Sequence, residues 1–164
     1  MRHAGEAAAP GDASSFRFAV VVARFNAFVT DRLRDGAVAA LREAGARADA
    51  VDVLAVPGAF EIPQAARAAA ATGRYDAVVC LGCLIRGATP HFDYIASAAA
   101  HGITAVATAT GIPCAFGVLT TDTREQALER AGDGPDNKGR EAAAAAIEMA
   151  ALCRAMGRPS GIRA

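Results

Sequence analysis

The chain has 164 residues, 53% of them hydrophobic, which is enough for one domain with a sizeable core and too little for two comfortable ones. Lys and Arg together number 17, as do Asp and Glu, so the formal net charge is zero and no field exists to gather phosphate backbones or acidic membranes. Nucleic acid and membrane are therefore not expected partners. The opening stretch MRHAGEAAAPGDASS is small, polar and broken by Pro10 and Gly11, without the apolar core of a secretory signal. The expectation is a cytoplasmic protein with a flexible tail over residues 1–15, one domain over 16–157 and a C-terminal tail over 158–164.

Taken in chain order, FRFAVVVA (16–23) is a short continuous apolar run that suits a strand buried on both faces. Leu33, Ala37 and Leu41 then recur at helical spacing, with Gly45 placed as a C-terminal stop. A second strand run, ADAVDVLAV (48–56), precedes the Ala-rich helix EIPQAARAAAATG, which ends at Gly73. The third run is DAVVCLGCLI (76–85), followed by RGATPHFDYI. In HGITAVATATG, Thr and Val favour strand, but Ile103, Val106, Ala107 and Thr110 fall at i, i+3, i+4, i+7 and predict helix, with His101 and Gly102 near a helix end. PCAFGVL (113–119) is the fourth strand run.

TDTREQALERAG opens with Asp122 and Glu125 at capping-box-like spacing. NKGREAAAAAIEMAALCRAMG carries Ala142, Ala146, Met149, Cys153 and Met156 on one stripe, which predicts core packing. The alternation of strands and helices gives an α/β domain: a four-stranded parallel sheet, doubly wound, with helices on both faces.

Four cysteines include one C-x-x-C pair, Cys80 and Cys83. A redox pair belongs at a helix N-terminus and a zinc site needs a second ligand pair, whereas odd spacing on a strand points these thiols to opposite faces. All four cysteines are read as small core hydrophobes.

In open α/β sheets ligands bind beyond the carboxyl ends of the strands, where strand order reverses. ARFN, PGAFEIP, RGATPH and TTDT stand at those four ends. In RGATPH, Thr89 as N-cap and Pro90 at the first helical position would leave free amides facing the crevice, and Gly87, Ala88 and Thr89 could cradle an anion. His91 in the first turn could take a proton and return it, although an ordinary surface histidine fits the same pattern. His3 in the tail and His101 are weaker candidates. Glu61 would either hydrogen-bond a polyol chain, held by Ala59 and Phe60, or simply favour the next helix N-terminus. Phe25 would be a stacking plate for a flat heterocycle or a hydrophobic staple. Of 17 basic residues only Lys138 is a lysine, and it sits at a helix start where a phosphate or oxyanion would suit it.

The ordered set RFN, VPGAFEIP, RGATPHFDYI, AFGVLTTDT, EQALERAG and NKGREAAAAAIEM, spread over roughly residues 16–156, resembles the 6,7-dimethyl-8-ribityllumazine synthase family of riboflavin biosynthesis. The resemblance implies a flavodoxin-like α/β/α sandwich assembled into pentamers, and no metal or redox cofactor. It implies condensation of 5-amino-6-(D-ribitylamino)uracil with 3,4-dihydroxy-2-butanone 4-phosphate, releasing phosphate and water. By motif, Phe25 would stack on the pyrimidine, Ala59, Phe60 and Glu61 would hold the ribityl chain, and Cys83, Leu84 and Ile85 would line the ring pocket. Ala88 and Thr89 would bind phosphate, His91 would transfer protons, and the adjacent subunit would supply Phe116, Arg130 and Lys138.

The chain departs from the family pattern in two places. AGDGPDNKG lacks the Thr-Lys pair often found between RAG and NKG, which removes one auxiliary positive charge, and Cys83 replaces the residues more usual at the pocket wall. No insertion of the kind linked with pentamer-only assemblies is present, and pentamer, decamer and sixty-subunit shell all stay open. A non-catalytic paralogue that holds lumazine or flavin is the alternative, against which His91, Arg130 and Lys138 together argue for a catalyst.

Overall fold

The computed structural model describes residues 11–157; His3, the tail expected over residues 1–10 and the one over 158–164 lie outside the described residues. Four strands, β1 (Phe18–Ala23), β2 (Val51–Val56), β3 (Ala77–Ile85) and β4 (Cys114–Thr121), form one parallel sheet in the order β2-β1-β3-β4. Five helices accompany them: α1 (Ala27–Glu43), α2 (Ile62–Ala71), α3 (His91–Thr110), α4 (Arg124–Arg130) and α5 (Lys138–Ala155).

This order fixes the layers. The chain steps one way from β1 to β2, then reverses across β1 to β3 and β4, and right-handed crossovers put α1 on one face and α2 and α3 on the other. The cores follow. Phe18, Val20 and Val22 of β1 and Ala77, Val79, Leu81 and Cys83 of β3 pack with α1 and α5, while Ala19, Val21, Val78 and Cys80 pack with α2 and α3. The result is the expected three-layer, flavodoxin-like α/β/α sandwich, and it explains why β1 and β3 read as unbroken apolar runs: both faces are covered.

The edge strands differ. β2 and β4 were expected to be buried on both faces, but Val53 and Phe116 are each about half exposed, because an edge strand has one neighbour and incomplete helical cover. The segment before the first strand is also more engaged than a flexible tail would be. Ala13 is fully buried and its amide donates to the Ala44 carbonyl at 2.8 Å, while Arg154 donates to the Ser15 hydroxyl.

Helix boundaries show which local rules prevailed. Gly45 and Gly73 take the left-handed conformation that ends α1 and α2, as expected. HGITAVATATG is the second half of one long helix, so His101 and Gly102 lie mid-helix and not near an end; Gly102 is tolerated because a Cβ there would lie 2.6 Å from Pro63 of α2. The cap of α4 lies one residue later than Asp122: the Thr123 hydroxyl accepts from the Gln126 amide, and the Gln126 side chain accepts from the Asp122 amide. Glu125 takes no part.

On α5, Ala142 and Ala146 are buried, but Met149 and Met156 of the predicted stripe are exposed and Cys153 is only partly buried. The buried face is turned toward the smallest residues, Gly139, Ala143, Ala146 and Ala150, because α5 packs tightly on α1. The C-x-x-C pair behaves as the strand period requires: Cys80 joins one core and Cys83 the other, both as free thiols, while Cys114 is half buried. Among the described residues no helix is long and apolar enough to cross a membrane.

The α1–α5 contact has almost no spare room. A Cβ on Gly139 would meet the Leu33 carbonyl oxygen at 2.0 Å, and one on Gly36 would meet the Asn137 side chain at 2.5 Å. Gly139→Ala gains up to about 1 kcal/mol of helix propensity, but backbone cannot swing aside as a side chain can, and overpacking of this kind costs about 1–3 kcal/mol or more. The variant is therefore expected to melt several degrees lower, read by thermal denaturation, while Gly134→Ala, with nothing within 4 Å, is expected to leave the midpoint unchanged.

Candidate active site

All four strands point the same way, so their carboxyl ends share one edge of the sheet, and strand order reverses between β1 and β3. β3 also outruns β1. Val22 pairs with Leu81, and the last residues of β3, Cys83 to Ile85, pair only with β4. Their backbone on the β1 side opens into the crevice where a parallel α/β sheet binds ligands.

After β1, Arg24 and Phe25 continue hydrogen bonding to the carbonyls of Val56 and Pro57, and Asn26 then turns the chain into α1 with φ 60° and ψ 45°. Asn26 is the one non-glycine residue with positive φ among the described residues, and asparagine tolerates that conformation better than most. Its Nδ2 donates to the Cys83 carbonyl at 2.9 Å, tying the β1 turn to the tail of β3. The turn leaves Phe25 69% exposed, a free aromatic face at the rim of the crevice. The sequence carries a signal for this role of Asn26: a polar residue able to turn left-handed stands directly before a helix.

After β2, a 3-10 turn over Ala59–Glu61 leads into α2. Ala59 is buried against the sheet, Phe60 is exposed, and Glu61 stands at the N-cap position of α2 without making a side-chain cap bond. Its carboxylate accepts no hydrogen bond from the described residues, so the side chain does not cap α2.

After β3 two expectations are revised. Cys83 presents no thiol to a ligand: strand alternation buries its side chain in the α1/α5 core, where desolvation pushes its pKa up to about 11, and only its backbone reaches the crevice. Leu84 and Ile85 are half buried at the same strand end. Thr89 is not an N-cap. Pro90, with φ −69° and ψ 2°, lies outside helical geometry and takes the cap position itself, so His91 is the first helical residue. The Pro90 carbonyl accepts from the amides of Asp93 and Tyr94, and no side chain caps the helix. The Thr89 hydroxyl is thus uncommitted, Ala88 and Thr89 are exposed, and the first amides of α3 have no intrahelical partners. Those donors are the elements of an anion site at the positive end of a 20-residue helix. His91 is exposed beside them and makes no hydrogen bond to the described residues.

Phe116, Arg130 and Lys138 lie elsewhere and lie together. They line a groove of about 390 Å³ between β4 and the α4–α5 arm, shared with Glu141, Ala142 and Ala145. Lys138 opens α5, where the helix dipole disfavours a cation, and is ion-paired to Glu141. Arg130 ends α4 and donates to the Gln126 carbonyl. Along β4, Phe116 is five residues before Thr121, which pairs with Ile85 at the crevice. At the rise of a parallel strand this is roughly 16 Å, too far for one small ligand to touch both Phe116 and the His91 turn of the same chain. The candidate residues therefore fall into two groups, one in the crevice and one along the β4 groove, with Phe116 far from the His91 turn.

Residues 15–154 match the family model for 6,7-dimethyl-8-ribityllumazine synthase. That match spans nearly the whole domain and includes every candidate residue of the crevice and the groove, and the chain belongs to the 6,7-dimethyl-8-ribityllumazine synthase family.

Proposed function

We propose that this transferase of riboflavin biosynthesis joins 5-amino-6-(D-ribitylamino)uracil to 3,4-dihydroxy-2-butanone 4-phosphate, in pockets built where the crevice of one subunit meets the β4 groove of the next. The observation that carries this reading is the separation of the two half-sites: each is chemically incomplete, and they complement each other. The crevice offers an aromatic plate in Phe25, a free carboxylate in Glu61, strand backbone at Cys83 to Ile85, uncommitted donors at Ala88 and Thr89, and the imidazole of His91. The groove offers a second aromatic, Phe116, with the cations Arg130 and Lys138.

In this reading the uracil stacks on Phe25 while Ala59, Phe60 and Glu61 hold the ribityl hydroxyls. The phosphate lies between the amides of Ala88 and Thr89 and the neighbour's Arg130. The 5-amino group attacks the ketone carbonyl, and loss of water gives an imine. Removal of a proton from the adjacent hydroxyl-bearing carbon then expels phosphate from its neighbour and leaves an enol. Moving the hydroxyl proton to the terminal carbon turns this into a methyl ketone, on whose new carbonyl the ribitylamino nitrogen closes the ring with loss of a second water. Each step moves a proton at atoms near the phosphate, where His91 stands. Cationic and amide donors stabilise the leaving anion, and much of the acceleration comes from holding two reactants together.

The assay is lumazine fluorescence after mixing the protein with both substrates, read above the spontaneous background. Product binding without turnover would instead identify a flavin- or lumazine-holding paralogue. His91→Ala is expected to lower kcat roughly a hundredfold without abolishing activity, because positioning and anion binding survive. Full activity across the pH range would remove His91 from the chemistry.

Arg130→Ala is expected to raise KM for the butanone phosphate by about tenfold or more and to change kcat less. Co-expressing the two variants tests the shared pocket. In a ring with one repeated head-to-tail interface, random assortment places an intact His91 opposite an intact Arg130 in about a quarter of pockets, so at butanone phosphate well below the wild-type KM activity rises well above that of either variant alone. Activity no higher than the mean of the two would place both residues in one chain's site.

A further inference from the structure

We propose that Arg86, which has no assigned role in either half-site, is a positioning residue that clamps the turn carrying Ala88, Thr89 and His91; this rests on the reaction proposed above. The turn at residues 87–89 has little to hold it. No backbone hydrogen bond is made by Gly87, Ala88 or Thr89, no side chain caps α3, and no heavy atom lies within 4 Å of a Cβ built on Gly87. Both its ends are instead fastened by one guanidinium. At the entrance, the Arg86 amide donates to the Thr121 carbonyl at 2.8 Å and its Nε donates to Asp122 Oδ1 at 3.0 Å. At the exit, its Nη1 donates to both oxygens of Asp93, at 3.2 and 3.3 Å, and its guanidinium carbon lies 4.3 Å over the ring of Phe92. Phe92 and Asp93 directly follow His91, so the first turn of α3 is held against the end of the sheet.

The same contact reaches the other half-site's arm. Asp122 immediately precedes Thr123, the cap of α4, and α4 carries Arg130. The guanidinium is nearly half exposed, and exposed ion pairs contribute little to global stability. Its effect falls on the placement of the turn, and a planar fork reaches two carboxylates and a ring face as an ammonium cannot.

The test compares wild type, Arg86→Met and Arg86→Lys by hydrogen exchange at the bonded amides flanking the turn, those of Arg86, Asp93 and Tyr94, by thermal midpoint and by lumazine formation. Arg86→Met, which keeps an unbranched stem, is expected to melt within a few degrees of wild type. Exchange at those flanking amides should be about tenfold faster or more, and its kcat about tenfold lower with KM for the pyrimidine nearly unchanged. Arg86→Lys is expected to recover only part of the loss. Asp93→Asn and Asp122→Asn should each lower kcat alone but add little in the Arg86→Met background, since the contacts act as a unit. Wild-type exchange at the Arg86, Asp93 and Tyr94 amides in Arg86→Met overturns the proposal, as does faster exchange spread evenly over β3 and α3 with a matching fall in melting temperature. A wild-type protein that forms no lumazine would sink the proposed reaction, while the exchange profile would still decide whether Arg86 holds the turn.

Discussion

The reversal of strand order between β1 and β3 is the constraint from which the rest of the structure follows. Right-handed crossovers on a sheet that reverses must place α1 opposite α2 and α3, so both central strands are covered and the chain diverges at their carboxyl ends. The divergence leaves the tail of β3 without a strand partner on one side. Asn26 closes part of that gap by donating to the Cys83 carbonyl, at the cost of a left-handed turn, and the remaining backbone polar groups open toward the crevice. A site rich in backbone donors arises there because the topology cannot satisfy them internally.

A second constraint sets the other half-site. Asn137 is buried, and its side chain is fully used: it donates to the carbonyls of Arg32 and Gly132 and accepts from the amides of Gly139 and Arg140. A buried amide with every bond made specifies one arrangement, since any shift orphans polar atoms. It pins the α4–α5 arm to α1, and Gly36 and Gly139 permit the close approach that this needs. Lys138 follows directly, at a helix end that disfavours its charge.

Large aromatic side chains are left open on the surface of the single chain. Phe25, Phe60, Tyr94 and Phe116 are all between 49% and 74% exposed, and β2 and β4 each leave one edge unpaired. The first three aromatics flank the crevice and the fourth flanks the groove. An isolated chain has no means of covering them, and apposition of crevice and groove from neighbouring copies would cover both at once.

The amino-acid sequence by itself determined the layers and the helices, because these depend on short-range patterns: unbroken apolar runs for doubly covered strands, helical spacing at Leu33, Ala37 and Leu41, and glycines where the chain must turn left-handed. It also separated Cys80 from Cys83, since the strand period alone does that. Tertiary structure decided what depends on neighbours distant in the chain. It decided which strands are edges, which face of α5 is buried, and that His101 lies mid-helix where Gly102 meets Pro63. It moved the cap of α3 from Thr89 to Pro90, so that the helix starts at His91, and it buried the Cys83 thiol between β3 and the α1–α5 layer. Above all, it set Phe116 apart from His91, for the distance between two strand positions follows from register and topology, which no local pattern records.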